Sequence, residues 1–352
     1  MPQFKDFNTE NKLRIPLSAY ASQTIENDCL NFSQKRTTLI NSIILNHYQE
    51  AECSISLRLR DYREELTQHL GTHRAAQNEV LLKSILDSRA KLLKEKYARR
   101  YPADVNWQIT LNKRAKAFLT EDTYAREELY YGDKPGHYVR ALLEDYAQLP
   151  YHRREEIVFK QLIDVIIIGI KDHLVLNLTN TRGARLSIKP YKIETDPMSM
   201  YHYLVGYNVE AIDARNNPDN AYYYPPVISI RVSRLVNVEI QYFQSGVISM
   251  QEVQQIKKEI EEKTVQFVSG KSSVISVWLS DRGISNYDSQ LHLRPSAIGI
   301  DPNDHHIYMF ECTEAQILYY FLRFGKDAKI ISPVALADKF RQSYTEALEN
   351  YS

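Results

Sequence analysis

The chain has 352 residues, a formal net charge of zero, 43% hydrophobic residues and 25% charged residues. These proportions suit a globular protein of two or three domains, and a neutral chain has no global field to draw it to nucleic acid, so any such binding needs a local patch. Cys29, Cys53 and Cys312 lie far apart with no ligand-like spacing. That argues against a disulfide framework and a cysteine zinc site, and it suits a reducing cytoplasm. The apolar run Val165–Ile170 is too short to span a bilayer, and the polar N-terminus has no signal-like core. The expected localisation is cytoplasmic, with no membrane partner.

In chain order, Lys12–Leu17 (KLRIPL) alternates apolar and polar residues at the period of a half-buried strand. Ser18 can cap a helix running toward Leu30, and Ser33 can cap a second with Leu39, Ile40, Ile43, Ile44 and Tyr48 on its apolar face. The order recurs: Trp107–Asn112 (WQITLN) alternates in the same way, a helix follows from about Lys113, and after the GDKPG break a further helix carries Val139, Leu142, Leu143 and Tyr146. Val80–Tyr97 reads as a connecting amphipathic helix. Lone strands leave backbone groups unsatisfied, so the two copies (about 11–48 and 107–146) are expected to pair as an antiparallel ribbon.

These residues resemble the ribbon-helix-helix DNA-binding fold, here built from two halves of one chain. The resemblance implies that Lys12, Arg14, Gln108, Thr110 and Asn112 face nucleic acid, and that the helix start at Ser33–Arg36 offers amides to phosphate. The bland alternative is the solvated face of a hairpin. A local basic excess from Lys83 to Lys116, including Arg89, Lys91, Lys94, Arg99, Arg100 and Arg114, favours binding, since only Asp87, Glu95 and Asp104 oppose it.

From Val165 short strand patterns follow at Val165–Ile170, His173–Leu178, Ala184–Tyr191, His202–Val209 and Val227–Val238, with turn residues between them. Two arginines, Arg231 and Arg234, interrupt the apolar run Val227–Val238. From pattern alone they either pair with Glu194, Asp196 or Glu210 or await a ligand. The segments RLSIKPYKI, MYHYLVGYNVEAIDA and SIRVSRLVNVEI resemble the WYL domain, an Sm-like small β-barrel, with His202-Tyr203-Leu204 at the naming triplet and histidine in place of tryptophan. The resemblance implies a groove for nucleic acid or a nucleotide-like ligand, carried by Tyr203, Arg231 and Arg234, with Arg185 and Lys189 on the preceding strand and His202 at the substituted position. Arginine is a planar fork for phosphate and tyrosine a stacking platform.

Ser249-Met-Gln-Glu252 is a capping box ahead of a helix Val253–Lys263. Beyond it the reading is strand Val274–Leu279, strand Leu291–Arg294, strand His306–Glu311, helix Glu314–Phe324, strand Lys329–Ser332 and helix Val334–Tyr351. This resembles the extension that follows WYL domains in bacterial regulators. The aromatic run Tyr319-Tyr320-Phe321 exceeds the needs of one helix face and is expected to serve self-association or a plain core.

No Walker loop, GxSxG or HExxH occurs. Asp301, Asp304, His305 and His306 cluster, but adjacent histidines on a strand would point to opposite sides, so no metal and no cofactor are expected. Arg63 and His69 have a spacing found in some ribonucleases, a coincidence-prone pattern, and the chain is not expected to be an enzyme.

The expected fold class is α+β multidomain: a ribbon-helix-helix domain (1–150), a WYL Sm-like small β-barrel (151–245), a linker helix (246–270) and a C-terminal α+β dimerisation domain (271–352). This combination resembles the WYL accessory proteins of type VI-D CRISPR systems. It implies a non-enzymatic homodimer that binds single-stranded RNA or DNA and enhances an RNA-guided CRISPR ribonuclease. The alternative is a ligand-sensing transcriptional repressor on duplex DNA.

Overall fold

A computed structural model describes residues 12–70, 75–97, 103–120, 123–132, 135–196, 200–209, 225–270 and 272–350. Arg99, Arg100 and Glu210 lie outside them. The chain is mixed α/β with several sheets, and it divides into two compact units, Met1–Gln161 and Leu162–Ser352.

The first unit contains β1 (Lys12–Leu17), α1 (Ala19–Asn31), α2 (Arg36–His47), α3 (Ile55–Leu70), α4 (Ala75–Tyr97), β2 (Val105–Thr110), α5 (Lys113–Thr120), α6 (Thr123–Tyr131), α7 (Pro135–Gln148) and α8 (Tyr151–Val158). The expected ribbon forms. β1 and β2 pair antiparallel, with Lys12 opposite Thr110, Arg14 opposite Gln108 and Ile15 opposite Trp107. Leu13, Ile15, Leu17, Trp107 and Ile109 are buried, so the period-two pattern sets which face meets the helices.

Ser18 caps α1 as expected: its hydroxyl accepts the Ala21 amide at 3.1 Å and donates to Glu144 of α7 at 2.7 Å. Ser33 does not cap α2. It adopts φ +53°, and the helix starts at Arg36 behind Lys35, which makes no side-chain cap bond. The second half carries three helices after its strand, because the stretch after Lys113 breaks into α5 and α6 before α7.

Several tyrosines serve as buried scaffold here. Tyr138, Tyr146 and Tyr320 are fully buried, and their hydroxyls bond Ser54, Asp28 and the Gln290 carbonyl. A buried ring with a satisfied hydroxyl incurs little polar desolvation cost. Asp28 is also held by Arg154, whose Nε donates at 2.7 Å.

The second unit begins with α9 (Lys160–Lys171), which holds the run Val165–Ile170 that period alone assigned to a strand. A short apolar run fits a buried helix equally well. The helix packs closely there, since a Cβ on Gly169 would lie 2.6 Å from the Leu176 side chain.

The sheet that follows contains β3 (Leu174–Asn180), β4 (Arg185–Thr195), β5 (His202–Asn208), β6 (Val227–Arg231) and β7 (Leu235–Ser245) in the order β6-β5-β4-β3-β7. The run expected as one strand, Val227–Val238, is cut by a 3₁₀ turn, Val232–Arg234, which sends β7 to the far edge against β3. The edge strands β6 and β7 share no ladder, so the sheet is open where a closed barrel was expected. Helix α10 (Met250–Lys263) starts with the expected capping box and covers one face through Val205, Tyr207, Val227 and Ile256.

A four-stranded sheet of order β11-β8-β10-β9 follows, from β8 (Ser272–Leu279), β9 (Ala297–Ile300), β10 (Ile307–Thr313) and β11 (Ala328–Ser332), with α11 (Asp281–Ser289), α12 (Glu314–Phe321) and α13 (Val334–Glu349). Residues Leu291–Arg294 are not the expected strand. Ser280 caps α11 by accepting the Gly283 amide at 3.1 Å, and Leu293 then turns through φ +56° before β9. Tyr320 and Phe321 are core, so they supply no exposed association surface, and only Tyr319 of that run reaches solvent. Among the described residues no helix is long and apolar enough to cross a membrane.

Candidate nucleic-acid interface

On the five-stranded sheet, cross-strand register places Glu194 opposite Tyr203 and Tyr203 opposite Arg231. Opposed residues share a face, so these three form one row across β4, β5 and β6. Tyr203 packs at the edge of the α10 core. The Arg231 guanidinium carbon lies 3.2 Å from the centre of the Tyr201 ring, just before β5. The row therefore ends in a cation stacked on an aromatic face, a pairing suited to phosphate and base together. Glu194 is drawn to Lys192, 2.7 Å away.

His202 is buried at 6% exposure. As Tyr203's neighbour on a strand it points to the opposite face, so the residue at the substituted triplet position lies inside the sheet.

Lys189 is engaged elsewhere. Its ammonium meets Glu252 of the α10 capping box at 2.9 Å, with both side chains mostly covered. Burial pushes the Glu252 carboxyl upward, but hydrogen bonds from Lys189 and from the Ser249 amide outweigh it and hold the group below its ordinary range. Lys189 thus fastens β4 to α10. Beside it, a Cβ on Gly206 would sit 2.5 Å from the Lys189 carbonyl oxygen, so only glycine lets β5 approach there.

Arg185 and Arg234 gather at the other end of the sheet. The Arg234 carbonyl accepts the Thr181 amide at 2.9 Å, which brings the 3₁₀ turn against the β3–β4 hairpin that holds Arg182. Arg182, Arg185 and Arg234 are all exposed. Arg185 lines a polar cavity of about 370 Å³ with Asn177, Thr179, Ser187, Asn237 and Glu239. The Glu239 carboxylate accepts from Asn237 at 2.7 Å, the one acid in a lining otherwise rich in amides and hydroxyls. The residues expected as one groove therefore separate: Tyr203 and Arg231 stand with Tyr201, Arg185 and Arg234 with Arg182, and Lys189 is structural. Sequence reading missed Tyr201 and Arg182. Tyr201 was legible as the aromatic two residues before Tyr203, and Arg182 as the cation in the hairpin turn.

In the first unit the outer ribbon face presents Arg14 beside Gln108 and Lys12 beside Thr110, with Arg14, Gln108 and Thr110 exposed. Asn112 has another role. It follows β2, its Oδ1 accepts the Ala115 amide at 2.8 Å, and its own amide donates to Asn41 at 2.9 Å. It caps α5. At the start of α2 the Arg36 guanidinium lies 4.6 Å from the Trp107 ring centre.

Arg63 and His69 both lie on α3, and six residues at 100° each set them about 120° apart round the helix. Arg63 pairs with Glu79 of α4 at 2.5 Å, and His69 contacts its own helix at the Glu65 carbonyl.

No protein-family model and no curated protein matches the sequence. Among solved structures, the chain is similar to one described as the crystal structure of a CRISPR Cas-related protein, at 22% identity and TM-score 0.67 over 99% of this chain and 96% of that one. That likeness shows a shared fold along nearly the whole length. The proteasome accessory factor B/C of Arthrobacter aurescens aligns at 13% identity over 100% of this chain and 52% of that one, with TM-score 0.33, too low to indicate a common fold.

Proposed function

We propose that the chain is a non-enzymatic, nucleic-acid-binding regulator that takes single-stranded RNA at the Arg231 edge and the hairpin end of the five-stranded sheet and acts beside an RNA-guided CRISPR ribonuclease, whose activity it enhances. The observation that carries this reading is Arg231 stacked on Tyr201 beside Tyr203, with the exposed Arg182, Arg185 and Arg234 at the hairpin end. Stacked aromatics with a backbone-tracking cationic surface bind single strands without needing a base code. The CRISPR context rests on the likeness to the CRISPR Cas-related protein and on the WYL-type and ribbon-helix-helix resemblances of the two units. Homodimer formation, through the C-terminal α+β part, would double the binding sites and raise avidity. A cytoplasmic location follows from the same assignment.

A second reading, a transcriptional repressor on duplex DNA, is favoured by one feature: the paired, exposed Arg14 and Gln108 on the ribbon. Both side chains can read base edges in a major groove.

The deciding experiment is a binding titration against single-stranded RNA and duplex DNA at one fixed salt concentration, with wild type, Arg231→Ala/Arg234→Ala and Arg14→Ala/Gln108→Ala. Tight RNA binding lost only in the sheet variant supports the accessory reading. Duplex binding lost only in the ribbon variant supports the repressor and removes the RNA proposal.

A further inference from the structure

In the C-terminal part, the turn before β10 carries His305 and His306. The two histidines are on a turn, not a strand, so their rings lie on the same side with centroids 4.1 Å apart. Asp281, the first residue of α11, faces them, and one ligand atom from each of the three residues lies within 4.8 Å of the others. The Nε2 of His306 is 4.0 Å from Asp281 Oδ1. Two ligands each about 2.1 Å from one ion lie no more than about 4.2 Å apart. Only a small inward swing of the exposed Asp281 carboxylate is needed.

A second feature concerns the lone pair. His306 Nδ1 is 2.7 Å from the Leu279 carbonyl oxygen. A carbonyl can only accept, so Nδ1 carries the proton and Nε2 is left as a free σ-donor aimed at Asp281. This is the arrangement that orients histidine ligands: one ring nitrogen bonded to a backbone carbonyl, the other on the metal. The ring is fixed further by the His306 amide donating to Asp304 at 3.0 Å, by its carbonyl accepting the Leu279 amide at 2.8 Å, and by Trp278, 5.8 Å away. Asp304 and Ser280 thus hold the backbone of both sides, Ser280 through its cap on α11 and its bond to Asp327 at 2.8 Å.

We infer that Asp281, His305 and His306 form a binding site for a borderline divalent transition-metal ion of the zinc, cobalt or nickel class. Two imidazoles and one carboxylate suit such ions and not calcium or magnesium, which take oxygen ligands. Three protein ligands on an exposed rim leave at least one position for water or for a group from another molecule. The positive end of α11 opposes the cation, and the Asp281 carboxylate offsets it. The bound ion would tie the β9–β10 turn to the start of α11. The site belongs to no part of the nucleic-acid reading and stands or falls without it.

The test is titration of tag-free full-length protein with Co²⁺, followed by absorption and by the histidine imidazole signals in NMR, with Zn²⁺ as competitor. The expected result is about one saturable ion per chain, d–d bands without thiolate-to-metal absorption, a shift of the His306 Nε2 resonance, and affinity at least tenfold weaker in His305→Ala and in Asp281→Asn. Both substituted side chains are exposed, and equal thermal melting without metal establishes that the fold is kept. Absence of saturable binding, thiolate absorption, or unchanged affinity in both variants overturns the site.

Discussion

The Arg231 guanidinium carbon lies 3.2 Å from the centre of the Tyr201 ring, although the two residues are thirty positions apart. β5 and β6 bring them together by pairing Tyr203 with Arg231. A guanidinium beside an aromatic face is a planar fork whose chemistry suits a phosphate.

Arg231→Lys keeps the charge but loses the planar fork, and Tyr201→Ala removes the platform. Each is expected to weaken single-stranded RNA binding, Tyr201→Ala by about 1–3 kcal/mol, the value of one base–aromatic stack. Arg185→Ala/Arg234→Ala is expected to act through charge, lowering the slope of log affinity against log salt by about 0.7 per lost phosphate contact. Fluorescence anisotropy across a salt series checks both. An unchanged slope in the arginine variant would remove that hairpin end from the interface.

On the ribbon, Gln108→Ala is expected to relax base preference on duplex DNA by about 1–3 kcal/mol at one position if the outer face reads bases. Lys12→Ala should weaken all sequences alike. Competition binding with randomised duplexes separates these outcomes from a ribbon that makes no DNA contact.

Arg154→Met should destabilise the first unit strongly. Asp28 is fully buried and accepts from Arg154 Nε at 2.7 Å, Arg154 Nη2 at 3.0 Å and Tyr146 at 2.8 Å. Losing the guanidinium leaves a buried carboxylate with one neutral donor, at a cost of about 3–5 kcal/mol. Urea unfolding checks it. A loss below about 1 kcal/mol would mean that the buried Asp28–Arg154 pair does not hold the unit together.

Glu127 of α6 gives a pH signature. Burial pushes its carboxyl above the ordinary range, against the Ser56 hydroxyl and amide that bond it. The folded state therefore holds the proton more tightly than the unfolded chain, and the group adds stability as pH falls through its raised folded value toward the ordinary carboxylate value of about 4.3. Glu127→Gln has no such titration. The melting temperature of wild type relative to the variant should rise as pH is lowered from 7 toward about 4.5. A difference independent of pH would show an unshifted carboxyl.

The sequence by itself determined the elements whose pattern is local. Alternation in KLRIPL and WQITLN set the ribbon and its faces, Ser18 and the Ser249–Glu252 box set two helix starts, and Tyr203, Arg231 and Arg234 were legible as polar residues in apolar strands. Tertiary structure decided what local pattern leaves degenerate. The VIIIGI run has no period, and it falls inside a helix, Lys160–Lys171, that tertiary packing holds against Leu176. One strand became two because the 3₁₀ turn at Val232–Arg234 let β7 satisfy its backbone on β3. Lys189 and Asn112, chemically fit for phosphate or bases, were taken by Glu252 and by the start of α5. A polar side chain's chemistry is written in the sequence, whereas its partner is fixed by which residues the fold brings within hydrogen-bond reach.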